Sequence, residues 1–288
     1  MLPFPSSELI INENGEIYHL GIRPEDLTKK IIIVGDQDRV TKVSSFFDEI
    51  TFKKQHREFV SHVGTYKGKE ITVLSTGIGT DNIDIVINEL DALANIDFNT
   101  RKENSTKEKL EIVRIGTCGI LDENIPVESF ILSEYSLGLD NVGHYYQRET
   151  NQELTHLLSE IEKQIKLPKF ITPYLAEASS ELNKRFDSKE VKSGITIASS
   201  GFYGPQGRVL RLPLAEPKML DSIAEFQSGQ HRFVNLEMET SALFALSSAL
   251  GHEATAICVG IANRRRQEFA DNYEPKILEL IQYVLDRI

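Results

Sequence analysis

The sequence predicts an α/β fold: a largely parallel or mixed sheet flanked by helices. Three observations carry this. Short β-branched runs such as Ile31-Ile-Ile-Val34, Ile71-Thr-Val-Leu74 and Ile112-Val-Arg-Ile115 each lead into glycine-containing turns. Helical patterns follow the first two runs. The unit of strand, glycine turn and helix then recurs along the chain, which is the pattern of a sheet covered by helices. Ligands in such sheets gather at the carboxyl ends of the strands.

In chain order, Ile31–Val34 ends at Gly35 and leads into a helical stretch over Asp38–Phe47. Ile71–Leu74 ends at Ser75-Thr-Gly-Ile-Gly79, and Asn82–Ala94 then sets Ile83, Val86, Ile87, Leu90 and Leu93 on one helical stripe. Ile112–Ile115 reads as a strand ending at Gly116-Thr-Cys-Gly119. Phe130–Leu132, Gly194–Ser199 and Thr255–Val259 are further strands. Glu149–Ile165 and Lys276–Arg287 read as amphipathic helices, and Ala242–Leu250 as an apolar one. Asn99–Lys109, the most polar segment, reads as a solvated loop or helix end. With no internal repeat, low-complexity tract or linker, a single domain is expected over residues 1–288.

The composition narrows the function. Lys+Arg 32 against Asp+Glu 43 leaves a net charge of −11, which argues against nucleic acid or an anionic membrane as a partner. No run is apolar enough to span a membrane, and the first residues lack the charged and apolar regions of a leader. Two cysteines, Cys118 and Cys258, both in apolar runs, suit a reducing cytoplasm without disulfides. No His/Cys spacing resembles a metal site.

Three groups of residues carry chemistry. The first is Gly201-Phe-Tyr-Gly-Pro-Gln-Gly-Arg208, placed after the strand-like run Ile195–Ser200. Gln206 offers a donor and an acceptor and Arg208 a fork of donors. Together they match a flat ring edge carrying C=O, N–H and C=O, as uracil has. The second is a set of arginines where strands meet turns: Arg39, Arg57 and Arg114. Arg114 lies inside an apolar strand, a costly position unless the guanidinium meets an anion. The third is Asn235-Leu-Glu-Met-Glu-Thr-Ser-Ala242. Glu237 and Glu239, two apart, cannot share a helix face. One can cap the following helix, while the other faces a ligand such as a cis-diol. Each feature also has a plain reading: a surface loop, surface charges and a cap.

Eight motifs in order resemble the nucleoside phosphorylase superfamily, and within it the uridine phosphorylase branch. They are Tyr18-His-Leu-Gly21, Val34-Gly-Asp-Gln-Asp-Arg39, His56-Arg-Glu-Phe59, Ser75-Thr-Gly-Ile-Gly79, Arg114-Ile-Gly-Thr-Cys-Gly119, Phe202–Arg208, Asn235-Leu-Glu-Met-Glu239 and Asn263-Arg264. The resemblance runs from about residue 18 to the C-terminus, leaving 1–17 as an N-terminal extension. It implies a three-layer α/β/α domain with a mixed, partly barrel-like central sheet. It implies phosphorolysis of a pyrimidine nucleoside with inorganic phosphate as co-substrate and no organic cofactor.

Residue by residue, the resemblance implies that Gly35, Arg39, Arg114 and Thr117 hold phosphate, joined by Arg57 from a neighbouring subunit. Glu239 would bind the ribose hydroxyls, with Met238 against the sugar, and Glu237 and Thr117 close by. His19, also from the neighbour, would reach the 5′-hydroxyl. Phe202, Gln206 and Arg208 would hold the base. Arg208, Gln206, Arg114 and Glu239 would carry the chemistry. A homo-oligomer follows, at least a dimer and in the family usually a hexamer of three dimers. Some bacterial members hold a monovalent cation such as K+ at a subunit interface, for which Glu58, Ile71 and Ser75 are the positions here. Purine-specific members use an aspartate in the segment corresponding to Val259–Asn263, which here has no carboxylate. A purine phosphorylase, a nucleosidase or a non-catalytic nucleoside-binding relative are the alternatives.

Overall fold

A computed structural model describes residues 2–288. The apolar β-branched runs form the strands, and the glycine-marked turns release the chain into helices. The first unit is β1 (Lys30–Val34) and α1 (Gln37–Ser44), whose N-terminus is capped by the Asp36 side chain accepting from Asp38 N. A hairpin of β2 (Glu49–His56) and β3 (Phe59–Tyr66) leads to β4 (Lys69–Ser75) and the long helix α2 (Thr80–Asn95). The polar stretch predicted as a loop or helix end instead forms a two-residue pairing, β5 (Ile96–Asp97) with β6 (Lys102–Glu103). Arg101 at its tip donates from Nε to the Phe4 carbonyl at 2.8 Å and so fastens the N-terminal segment.

The predicted strand at Ile112–Ile115 is longer than expected: β7 spans Glu111–Ile120 and runs straight through the glycines read as a turn. It is followed by β8 (Phe130–Gly138), α3 (Gln152–Gln164), β9 (Tyr174–Glu177), α4 (Ser180–Phe186) and β10 (Val191–Ala198). The chain closes with α5 (Met219–Glu225), β11 (Phe233–Glu237), α6 (Thr240–Leu250), β12 (Glu253–Asn263), β13 (Glu268–Phe269) and α7 (Glu274–Leu285).

The main sheet is mixed, in the order β13-β12-β8-β10-β11-β7-β1-β4-β3-β2, with β9 on β8. A further pairing joins β12 to β7 and closes β7, β12, β8, β10 and β11 into a five-stranded barrel-like ring. Helices cover both faces. Ile83, Val86 and Leu90 of α2 pack with Leu243, Phe244 and Leu246 of α6 in one buried cluster, which also takes in Leu9 and Ile17 of the N-terminal segment. Val40 and Val43 of α1 pack with Ile277, Leu280 and Val284 of α7 in another. The fold is therefore the three-layer α/β/α arrangement that was expected. No helix among the described residues is long and apolar enough to cross a membrane.

Candidate active site

One cavity of about 1030 Å³ gathers most of the predicted residues at the carboxyl ends of β1, β7, β11 and β12. Gly35, Arg39, Arg114 and Thr117 lie on its wall, as do Glu237, Met238 and Glu239, and Phe202, Gln206 and Arg208. Segments up to about 200 residues apart in sequence thus share one hollow.

At one end sit two guanidiniums. Arg39 is on the first turn of α1 and donates from Nη1 to the Ile115 carbonyl at 3.3 Å. Burial and the nearby positive charge of Arg114 both lower its pKa. Arg114 is 5 % exposed. Its Nη2 is paired with Glu239 and its Nη1 lies 3.3 Å from Glu237. Burial opposes its charge, but the Glu239 and Glu237 carboxylates outweigh that and raise its pKa. Arg114 Nε is buried with no partner.

The glycine following this arginine has a use other than the turn expected of it. A Cβ at Gly116 would fall 2.2 Å from Arg114 Nη1 and 2.9 Å from Cys258 Sγ. Its bare Cα lets the guanidinium lie back along its own strand toward the cavity. The chain does not turn at Gly116-Thr117: both stay in β7 beside β12, and Thr117 lines the cavity.

In the middle, the two carboxylates divide their work as foreseen. Glu237 ends β11 and accepts from the backbone N–H of Glu239 at 3.0 Å and of Thr240 at 3.1 Å, capping α6. Glu239 turns into the cavity, accepting from Gly79 N–H at 2.8 Å as well as from Arg114. Burial pushes the Glu237 carboxyl up to about 8, against the pull of Arg114. A group raised in the folded state holds a proton that the unfolded chain releases. Stability should then fall as pH rises from about 4.5, where the unfolded group titrates, to about 8. Glu237→Gln is expected to flatten that slope, which thermal midpoints across the window will measure.

At the other end, the short 3-10 turn Gly204–Gln206 places Gln206 in the interior. Arg208 lies over the Phe202 ring, 3.7 Å from its centroid. Its Nη1 donates to the Phe202 carbonyl at 2.6 Å and to Gln206 Oε1. Burial, helped by the charge of Arg264, brings Arg208 down to about 10. Arg264 is a residue the sequence reasoning left without a role. It lines the same end and donates to the Gln206 carbonyl at 3.1 Å. Its position just after a strand-end asparagine was the available signal. A neighbouring cavity of about 690 Å³ shares Arg208, but its remaining lining is mostly apolar, without paired carboxylates.

Cys258 was also passed over. Its Sγ is 3.4 Å from Arg114 Nη1. A hydrogen bond from the Cys118 thiol, followed by the charge of Arg114, lowers Cys258 to about 7. Cys118 itself is pushed up by burial. Both thiols are free and buried, and their adjacency depends on the parallel register of β7 with β12.

Three predicted groupings fall elsewhere. Arg57 is at the tip of the β2–β3 hairpin, exposed, with φ +55°, and donates to Tyr18 Oη at 3.0 Å. His19 lies beside it, its carbonyl 2.9 Å from His56 Nδ1. Neither residue lines this chain's own cavity. The positions expected for a cation between subunits lie on β4 and at the β2–β3 tip. Ser75 Oγ is occupied, donating to the Glu58 carbonyl at 2.7 Å and accepting from Val60 N–H at 2.8 Å. Ile71 is four residues earlier on the same strand, about 13 Å away at strand rise. Within one chain Glu58 and Ser75 are in contact and Ile71 lies apart from them.

The cavity can be set against known proteins. The chain is 30% identical over 269 residues to a uridine phosphorylase of Thermococcus kodakarensis, covering 92% of this chain and 84% of that one. A uridine phosphorylase of Haemophilus influenzae is 28% identical over 259 residues, 88% of each. A DeoD-type purine nucleoside phosphorylase of Geobacillus stearothermophilus is 24% identical over 246 residues, 83% of each. Among solved structures, a Trypanosoma brucei nucleoside phosphorylase described as showing uridine phosphorylase activity superposes with a TM-score of 0.89. It is 30% identical, with 97% of this chain and 98% of that one covered. The sequence model of the phosphorylase superfamily matches residues 29–286, and with these relatives it shows that the chain belongs to that superfamily.

Proposed function

We propose that this protein is a pentosyltransferase that catalyses the reversible phosphorolysis of uridine to uracil and ribose 1-phosphate. The observation that carries this reading is the order of groups along one cavity: two guanidiniums, then a carboxylate pair beside Met238, then an amide and two guanidiniums beside Phe202. Anion, pentose and pyrimidine can lie in a row along it. Relatives named uridine phosphorylase support the reading, as does the absence of a carboxylate in Val259–Asn263, where Ile261 and Ala262 meet the cavity, followed by Arg264.

The chemistry follows from the charges. A phosphate oxygen attacks the anomeric carbon as the C–N bond breaks and its electron pair leaves with uracil. Arg39 and Arg114 fix the phosphate, with Gly35 and Thr117 beside it, which removes much of the entropic barrier. Glu239 accepts from the ribose hydroxyls and faces the positive charge growing on the sugar, with Glu237 holding the turn behind it. Arg208 and Arg264 face the negative charge growing on the base, while Gln206 sets the ring's orientation. Donors aimed at such charge contribute roughly 10²–10³ in rate each.

Arg57 and His19 fit the reading when a second copy of the chain supplies them. They share one surface, joined through Tyr18 and His56, so a single partner could present both. A dimer is then the minimal active unit, with three dimers in a hexamer as the larger assembly. Two reduced thiols suit a cytoplasmic setting.

Incubation with uridine, with and without phosphate, tests the proposal. Equal amounts of uracil and ribose 1-phosphate, formed only with phosphate, are expected. Free ribose would identify a nucleosidase, base release from adenosine or inosine instead of uridine a purine enzyme, and binding without turnover a sensor.

A further inference from the structure

His19 is held far more firmly than an exposed loop residue needs to be. It sits in a tight loop whose ends are joined by Ile17 N–H to the Ile22 carbonyl and Gly21 N–H to the Ile17 carbonyl, both 2.9 Å. Gly21 closes this loop at φ +64°, and a Cβ there would press on His56 at 3.1 Å. The loop leaves the N–H groups of His19 and Leu20 pointing at α2, where Glu89 meets them. One Glu89 oxygen accepts from His19 N–H at 3.0 Å and contacts His19 Nδ1 at 2.6 Å. The other accepts from Leu20 N–H at 2.8 Å and from His19 N–H at 3.1 Å. On the far side His56 meets the His19 carbonyl, and the Tyr18 ring stands edge-on to the imidazole at 4.8 Å.

We propose that Glu89 is the positioning residue of the ribose 5′-hydroxyl contact: it locks the His19 imidazole with its proton on Nδ1 and presents Nε2 to the sugar bound in a neighbouring copy. This rests on the phosphorolysis reading above. A carboxylate that is already accepting backbone N–H groups can only accept from Nδ1, so Nδ1 carries the proton. The Glu89 side chain is 12% exposed against 29% for His19, so the anchor is shielded and the ring edge stays accessible. The arrangement matches that of metal-ligating or catalytic histidines whose second nitrogen is held by a carboxylate. Because Glu89 stands on a fully formed helix packed by its apolar stripe, the ring is fixed to the scaffold rather than to its own loop.

Glu89→Gln is the variant to make. Its amide oxygen can still accept the backbone N–H groups, so the loop is kept, while the acceptor for Nδ1–H is lost. On uridine with saturating phosphate, kcat/KM is expected to fall about tenfold, mostly through KM, the size of one lost hydrogen bond to a positioned group. On 5′-deoxyuridine, which lacks the hydroxyl, the same change should cost under about twofold. In a His19→Ala background Glu89→Gln should add nothing. Equal losses on both nucleosides would make Glu89 a loop brace only and overturn the inference. A wild-type enzyme that does not prefer uridine to 5′-deoxyuridine removes the His19 contact, and one with no uridine phosphorolysis removes the underlying reading; either ends the inference as well. Imidazole 15N spectra of the wild-type protein need no variant. They should show the neutral His19 ring protonated on Nδ1, and the opposite tautomer overturns the assignment.

Discussion

Replacing Arg114 by methionine is expected to abolish phosphate-dependent turnover and to destabilise the protein at the same time. The functional loss comes from removing one of two guanidiniums at the anion end, the one with an unpartnered buried donor. A fall of at least about 10³ in kcat/KM for phosphate is the expected scale for a donor that both binds and orients the nucleophile. The stability loss comes from the partners left behind. Glu237 and Glu239 are each 4% exposed, and removing their shared cation leaves the buried Glu239 carboxylate without its charge partner. Breaking a buried pair from one side costs about 3–5 kcal/mol. Adding Glu239→Gln to Arg114→Met should therefore restore part of the thermal midpoint while leaving the enzyme inactive. Phosphate saturation curves and melts on the two variants separate the effects. Unchanged phosphate saturation in Arg114→Met would take this residue out of the anion site.

Arg208→Ala should produce the complementary result, with kcat/KM for uridine lower by about 10²–10³ and the phosphate dependence close to that of the parent. The guanidinium is held by stacking on Phe202 and by its bonds to the Phe202 carbonyl and Gln206. Its removal takes away a donor to the leaving pyrimidine and frees the amide that orients the ring. Lysine should not rescue it, because a point charge supplies neither the planar stack nor the fork of donors. Arg264 remains at that end and should support the residual activity. Uridine turnover equal to the parent would assign base recognition elsewhere.

Much of this was legible in the chain. The β-branched runs at Ile31–Val34 and Ile71–Leu74 and the apolar stripe from Ile83 to Leu93 are local signals, and each became the element expected. The division of Glu237 and Glu239 between cap and cavity was legible from their spacing, since neighbours two apart on a helix start must diverge. The β2–β3 hairpin was not. β2 alternates exposed and half-buried positions, with Glu49, Thr51, Lys53 and Gln55 outward and Lys54 and His56 among the half-buried, so no apolar run marks it. Gly116 and Gly119 read as a turn because glycine inside a strand usually weakens it. Their use is to leave room for Arg114 and Leu236, atoms placed there by tertiary structure. Cys258 against Arg114 joins positions 144 apart, which requires the register of two parallel strands. Glu89 carries no local signal, because only the folded chain brings the N-terminal loop over it.

The strand bearing Arg114 has a further consequence. Along one edge β7 is bonded to β1 and then to β11, and along the other to β12 for its whole length. Only Gly116, Thr117 and Cys118 lie between the two partners on the first edge, and at position 114 the strand is held on both sides, by Ile33 of β1 and Ala256 of β12. The proposed anion site is thus carried on one of the most extensively paired strands of the sheet. Heat should silence the enzyme and unravel the chain in a single event, with no half-melted form that keeps its shape but has lost its grip on phosphate.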